Sequence, residues 1–204
     1  AAKEVRTHTG IGHGCASIGT VAVALSEKIF GSLSNQTVLL IGVGKIGEQT
    51  LKRLVVRGVT QIRVMNRTLP RAMTVASTYH AVPLALEELQ RQLMEVDMVI
   101  TSTSAPSHVL RRFEVAEAMH RRHHRPLCLI DLGVPRNIEP AAGDLENVYL
   151  FDIDDLQGII DHHQAQQRKA IDHSQHILEH KVDRFLTWWQ HECETSSLAR
   201  AAVR

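Results

Sequence analysis

The sequence predicts an α/β fold, a doubly wound parallel sheet with a long C-terminal helix, and three observations carry that prediction. Short continuous apolar runs such as Thr37–Ile41 read as strands buried on both faces, the kind found in parallel sheets. Segments of helical periodicity, each about 10 to 15 residues long, separate those runs, so each strand returns to the sheet through a right-handed crossover. From Asp154 onward the strand signal stops, and the chain holds no Pro and no Gly beyond Gly158.

The elements follow in order. Residues 1–14 are polar, with Gly10, Gly12 and Gly14 as turn punctuation. Ile18, Val21, Ala22, Leu25 and Ile29 keep helical spacing up to Phe30, behind Ser17 as the expected N-cap, and Gly31 closes that helix. The strand Thr37–Ile41 ends at Gly42, and a helix is expected over residues 46–57 through Ile46, Leu51, Leu54 and Val55. Gln61–Met65 is the second strand. The next helix, Leu69–Tyr79, carries Pro70 in its first turn, where no N–H is needed. Residues 81–83 form a short third strand and 86–94 a helix. Met98–Thr101, Leu127–Asp131 and Val148–Asp152 complete the strands.

The last element, from Asp154 to residue 192 or so, would be a helix of roughly 37 residues and about 55 Å, too long to lie on a small sheet. Its apolar stripe runs through Leu156, Ile160, Ala170, Ile171, Ile177, Leu178, Val182, Phe185, Trp188 and Trp189. His163, Gln167 and Ser174 weaken it in the middle. Such a stripe is expected to pack on a partner subunit or a further domain.

Charge and composition exclude several classes of function. With 23 Lys and Arg against 22 Asp and Glu among 204 residues, no bulk field draws the chain to nucleic acid or an anionic membrane. No apolar run approaches the roughly 20 residues that cross a bilayer, and no signal-like core opens the chain. The three cysteines, Cys15, Cys128 and Cys193, have neither disulfide nor metal spacing, which fits a reducing compartment. The chain reads as soluble and cytoplasmic. It opens without Met and stops just after a helical pattern, so it is expected to be a fragment of something longer.

Gly42-Val43-Gly44-Lys45-Ile46-Gly47 matches G-x-G-x-x-G where a buried strand passes into a helix, the context that makes the pattern informative. Gly42 permits the tight turn, Gly44 lets the backbone approach a pyrophosphate, and Gly47 lets the helix lie close to the sheet. The helix N-terminus adds free N–H groups and a positive dipole end. This predicts a Rossmann domain. The alternative is a tight turn without a ligand.

At the end of the second strand, where an acid usually binds the adenosine ribose, the sequence has Asn66-Arg67-Thr68. With no carboxylate to repel a 2′-phosphate and a guanidinium to grip one, the site favours NADP over NAD. The alternative makes Arg67 a solvated residue and Asn66 a cap. The loop 101–106 offers hydroxyls, Thr103 among them, either to the nicotinamide half of the cofactor or to ordinary turn bonds. In 131–140, Gly133, Pro135 and Arg136 suggest either a shaped turn that brings a cation to the nicotinamide end or a rigid connector.

Taken together, residues 5–9, 17–30, 38–47, 66–72, 129–136 and 148–156 resemble glutamyl-tRNA reductase, the NADPH enzyme that opens the five-carbon route to tetrapyrroles. The Asn-Arg-Thr element is shared with shikimate dehydrogenases. Asp131-Leu-Gly-Val-Pro-Arg136 and the run Phe151-Asp-Ile-Asp-Asp-Leu156 are more particular. The resemblance implies an N-terminal catalytic domain whose cysteine forms a thioester with the glutamyl group, an NADPH domain, and a helical dimerisation domain reached by a long spinal helix. This sequence matches the second and the start of the third: 1–35 as linker and helix, 36–153 as the NADP-binding domain, 154–204 as the long helix. No catalytic residue and no metal site is assigned to it. The parent would be an NADPH-dependent oxidoreductase that forms glutamate-1-semialdehyde, while the fragment alone would be inactive. Its implied partners are glutamyl-tRNA, met by the domain without a counterpart here, a second copy along the long helix, and glutamate-1-semialdehyde aminomutase. The rivals are a shikimate-dehydrogenase-like NADP oxidoreductase and a non-catalytic dinucleotide-sensing dimer module.

Departures and leftover signals are weighed against that resemblance. Cys15 stands where the family has a small apolar residue and is not expected to be a nucleophile; Cys128 reads as inert core. Asn137 stands where the family more often has Asp. His173, His176 and His180 share one helical face without a matching carboxylate, so a solvated face is expected. Arg111, Arg112 and the run His120-Arg-Arg-His-His-Arg125 make a basic patch able to meet tRNA phosphates. With only Phe113 beside it there is no stacking platform, and a solvated surface helix is expected.

Overall fold

The computed structural model describes residues 17–201. Side chains are not described at 163, 164, 166, 167, 169, 170, 173 and 190–201. The expectations for Gly10, Gly12, Gly14, Cys15 and residues 5–9 lie outside the described residues, as do those for the side chains of His163, Gln167, Ala170, His173 and Cys193. The chain divides into two compact units. One is Ala16–Ile160, which holds the sheet, and the other includes the helix from Asp161 onward.

In the first unit, α1 (Ile18–Phe30) starts behind Ser17, whose Oγ accepts from the Thr20 N–H at 3.3 Å, and ends at Gly31 with φ 74°. The strands are β1 (Thr37–Ile41), β2 (Gln61–Met65), β3 (Val82–Leu84), β4 (Met98–Thr101), β5 (Leu127–Asp131) and β6 (Val148–Asp152), with order β3-β2-β1-β4-β5-β6. Every pairing is parallel. Between them lie α2 (Lys45–Val56), α3 (Leu69–Tyr79), α4 (Leu89–Glu95) and α5 (Arg112–Arg121). This is the doubly wound parallel sheet expected.

Alternate residues of the strands feed two cores. Val38, Leu40, Val64, Ile100 and Ile130 pack with Ala22 of α1 and with Leu51 and Leu54 of α2. Leu39, Ile41, Val99 and Leu129 pack on the other face with Leu93 of α4 and Val115 of α5. Burial on both faces is why these strands read as continuous apolar runs rather than as an alternation.

Within the sheet unit, two elements and one surface patch differ from expectation. The third strand is shifted by one residue to Val82–Leu84, and its Pro83 is tolerated because β3 is an edge strand. The helix expected over 86–94 is a single 3₁₀ turn, Leu86–Glu88, followed by α4. The basic patch is not wholly solvated. The Arg122 guanidinium is buried and donates to the carbonyls of Val96 (2.6 Å), Pro126 (2.7 Å), Leu93 (2.8 Å) and Arg125 (2.9 Å). It therefore ties the end of α4 to the loop that enters β5. Burial, aided by the nearby Arg125 charge, pulls its pKa down to about 10.

The last helix, α6 (Ile153–Ala201), begins inside the sheet unit. Asp152 Oδ1 accepts from the N–H groups of Asp154 (2.9 Å) and Asp155 (3.0 Å), while Asp155 Oδ2 accepts from the Asp152 N–H at 3.0 Å. Leu156 and Ile160 are buried in the same core as α1. The helix runs about nine residues beyond the sequence expectation because nothing in that stretch stops it.

In the second unit, Ile171, Leu178, Val182, Phe185, Leu186, Trp188 and Trp189 are exposed on that helix. The three aromatic rings cluster, with centroids 5.8–6.3 Å apart. His176 faces Glu179 at 3.6 Å. Among the described residues no helix is long and apolar enough to cross a membrane.

Candidate dinucleotide-binding site

The parallel register lines up the strand ends Leu84, Met65, Ile41, Thr101, Asp131 and Asp152 along one carboxyl edge. The chain leaves β1 toward β2 on one side and reaches β4 on the other, so the switch point of the topology lies between β1 and β4. Ligands of open α/β sheets bind in the crevice at such a point. Gly42 follows β1 directly.

The three glycines of the turn are there for different reasons. Gly42 has φ 92°, and its N–H donates to the Met65 carbonyl at 2.8 Å. A Cβ on it would lie 2.4 Å from the Ser102 carbonyl oxygen. Gly47 is buried; a Cβ there would meet Ser102 Cβ at 2.9 Å and the Gly42 oxygen at 3.0 Å. Both are dictated by the protein's own packing. Gly44 is not. It has φ −75°, open to any residue, and a Cβ on it would come no nearer than 3.4 Å to a protein atom. Gly44, Lys45 and Ile46 are exposed, and Gly44 caps α2 without any side-chain acceptor. A bare strand-to-helix turn would need the first and third glycines only. The second leaves the backbone open at the exposed N-terminus of α2, the positive end of the helix dipole. The half-buried Val43 packs against the α1–α2 core, so it holds the turn from behind.

Beside this turn, in register with Ile41, Met65 leads into Asn66, Arg67 and Thr68. Asn66 Nδ2 donates to Thr68 Oγ1 at 2.8 Å and to the Thr68 carbonyl at 3.2 Å, which fixes the corner at the N-cap of α3. Arg67 is exposed, and among the described residues no carboxylate pairs with it. Arg71, equally exposed, stands one turn further on.

The loop after β4 closes the other side. Ser102 Oγ accepts from the Gly47 N–H at 3.1 Å, a contact that no local spacing signals. The Thr103 hydroxyl is engaged within the protein: it donates to Asn137 Oδ1 at 2.9 Å and accepts from the Ala105 N–H at 3.1 Å. Thr103 thus forms part of the floor against Gly42. Behind it the buried Asp131 accepts four hydrogen bonds: from Thr101 Oγ1 and from the N–H groups of Asn137 and Ile138 at 2.8 Å, and from the Gly133 N–H at 2.9 Å. Arg136 forms ion pairs with Asp152 and Asp154 and joins this loop to the start of α6. Cys128 lies in the core, where burial pushes its thiol up to about 12. A separate cavity of about 510 Å³ lies along α1 and α2, lined in part by Thr20, Lys52, Arg53 and Arg57, away from the glycine turn.

Comparison with known proteins agrees with this fold. Residues 24–159 match the family model described as shikimate / quinate 5-dehydrogenase. The glutamyl-tRNA reductase of Syntrophus aciditrophicus is 42% identical over 187 residues, 92% of this chain and 44% of that protein. That of Solibacter usitatus is 40% identical over 185 residues, 91% of this chain and again 44% of the relative. The chain therefore spans less than half the length of these curated relatives. Among solved structures, glutamyl-tRNA reductase from Methanopyrus kandleri superposes with a TM-score of 0.78 at 36% identity, over 87% of this chain and 45% of that one. The chain belongs to the shikimate / quinate 5-dehydrogenase family, and over most of its length it is similar to glutamyl-tRNA reductases.

Proposed function

We propose that this chain is the NADPH-binding part of a glutamyl-tRNA reductase, whose parent activity is reduction of glutamyl-tRNA to glutamate-1-semialdehyde for tetrapyrrole synthesis. The observation that carries the reading is Gly44. It is a glycine that the protein's own packing does not require, at the exposed start of α2, on the same sheet edge as Arg67, which has no carboxylate partner among the described residues. Gly42, Val43, Gly44, Lys45, Ile46 and Gly47 present the backbone to the pyrophosphate. Asn66, Arg67 and Thr68 take the adenosine 2′-phosphate end, with Arg67 as its cation. Thr103, on the floor, borders the nicotinamide half. When bound, NADPH supplies a hydride.

The division of labour follows from the resemblance. Residues 36–153 serve as the cofactor domain behind the linker and helix of 1–35, and 154–204 start a helical dimerisation domain whose exposed apolar residues meet a second copy. The thioester-forming cysteine, the contact with glutamyl-tRNA and the handover to the aminomutase belong to parts of the parent beyond this chain, which alone does not turn over. A cytoplasmic setting suits this substrate.

The test is a chimera that joins the preceding part of the Syntrophus aciditrophicus relative to this chain. It should oxidise NADPH in the presence of glutamyl-tRNA, and the chain alone should not. Oxidation of shikimate with NADP by the chain alone would replace this reading with the shikimate-dehydrogenase one.

A further inference from the structure

We infer that Asn137 is a positioning residue of the dinucleotide site: its amide oxygen holds the loop of Ser102 and Thr103 against the glycine turn and so shapes the half of the site beyond the pyrophosphate. The inference rests on the dinucleotide reading above. Asn137 is fully buried, and its Oδ1 accepts two hydrogen bonds from one residue, the Thr103 N–H and the Thr103 hydroxyl, each at 2.9 Å. Its Nδ2 donates to the Pro135 carbonyl at 3.2 Å, and its own N–H is held by Asp131. Gly133 makes room for it, since a Cβ there would lie 2.3 Å from Asn137 Oδ1.

From Thr103 the restraint passes directly to the cradle. Thr103 Cγ2 and the Ser102 carbonyl crowd Gly42, and Ser102 Oγ takes the Gly47 N–H. Asp131 cannot replace Asn137, because its carboxylate already accepts four hydrogen bonds. Two donors converging on one oxygen require an acceptor at that point and nothing more. An aspartic acid in its protonated form keeps both acceptor bonds and donates its O–H to the Pro135 carbonyl in place of Nδ2. Alanine leaves the Thr103 N–H without its partner, and the loop is free to drift from Gly42.

The experiment titrates the wild-type chain, Asn137→Ala and Asn137→Asp with NADPH and with adenosine 2′-monophosphate, a probe that reaches the Asn66 to Thr68 corner but not the floor. Asn137→Ala should weaken NADPH binding by about tenfold or more and leave the monophosphate within about twofold, while Asn137→Asp stays within about threefold of wild type for both. Thr103→Val removes, at nearly unchanged volume, the hydroxyl that donates to Asn137 and accepts from the Ala105 N–H. It should weaken NADPH alone by about threefold, which keeps the test open if the alanine variant does not fold. NADPH binding indifferent to these variants, or loss of both ligands in equal measure, would overturn the role of Asn137. Failure of the wild-type chain to bind NADPH at all would instead sink the dinucleotide reading beneath it.

Discussion

Gly42 and Gly44 stand two positions apart and answer to different forces. Gly42→Ala meets both a left-handed φ and a backbone oxygen 2.4 Å away, so it should destabilise the fold by about 2 kcal/mol or more. Gly44→Ala meets no backbone clash, so it should leave the thermal midpoint within a degree or two while weakening NADPH binding about tenfold. Thermal melts and titrations of the two variants separate the effects, and an unstable Gly44→Ala would mean that the turn, not a ligand, needs that glycine. Cys128 gives a pH prediction. The unfolded thiol ionises near 9, and the buried one only at about 12. The folded state therefore loses relative stability as pH rises through that interval. Peptide mapping after alkylation at pH 9 should find Cys128 unmodified in the native chain and modified in denaturant. The glycines and Arg67 were legible because local spacing encodes them. Ser102 and Asn137 were not, because their bonds span 55 and 34 residues and no periodicity records such a partner.

Among the elements, the strands that matched expectation best, β1, β2, β4, β5 and β6, are those whose apolar runs feed both cores. The less legible ones lie at the edge or carry mixed signals. β3 is held by one neighbour, and residues 86–88 tighten into a 3₁₀ turn before α4. Arg122 was read as surface because a cation in a basic run looks solvated, yet four carbonyls hold it in the interior. The start of α6 belongs to the sheet unit through Leu156 and Ile160. A chain ended after Ile160 should therefore unfold at nearly the urea midpoint of the sheet unit in the full chain. One ended after Asp152 loses two buried aliphatic side chains and should be less stable by about 3 kcal/mol or more. Equal midpoints for the two truncations would show that α6 adds nothing to the sheet.

At the scale of the whole molecule, sequence pattern foretold a doubly wound sheet and a long C-terminal helix. It also set the β4 and β5 loops on one carboxyl edge with the glycine turn and the Asn66 corner, as the five parallel registers have them. It did not foretell the bonds of Asp131 and Asn137 that tie those two loops together. Calorimetric titration of the chain with NADPH and with NADH tests most directly whether that edge is an NADPH site. NADPH should bind more tightly by at least about tenfold, with the preference lost in Arg67→Ala. Equal or tighter binding of NADH, or a preference that survives the loss of Arg67, would contradict that assignment.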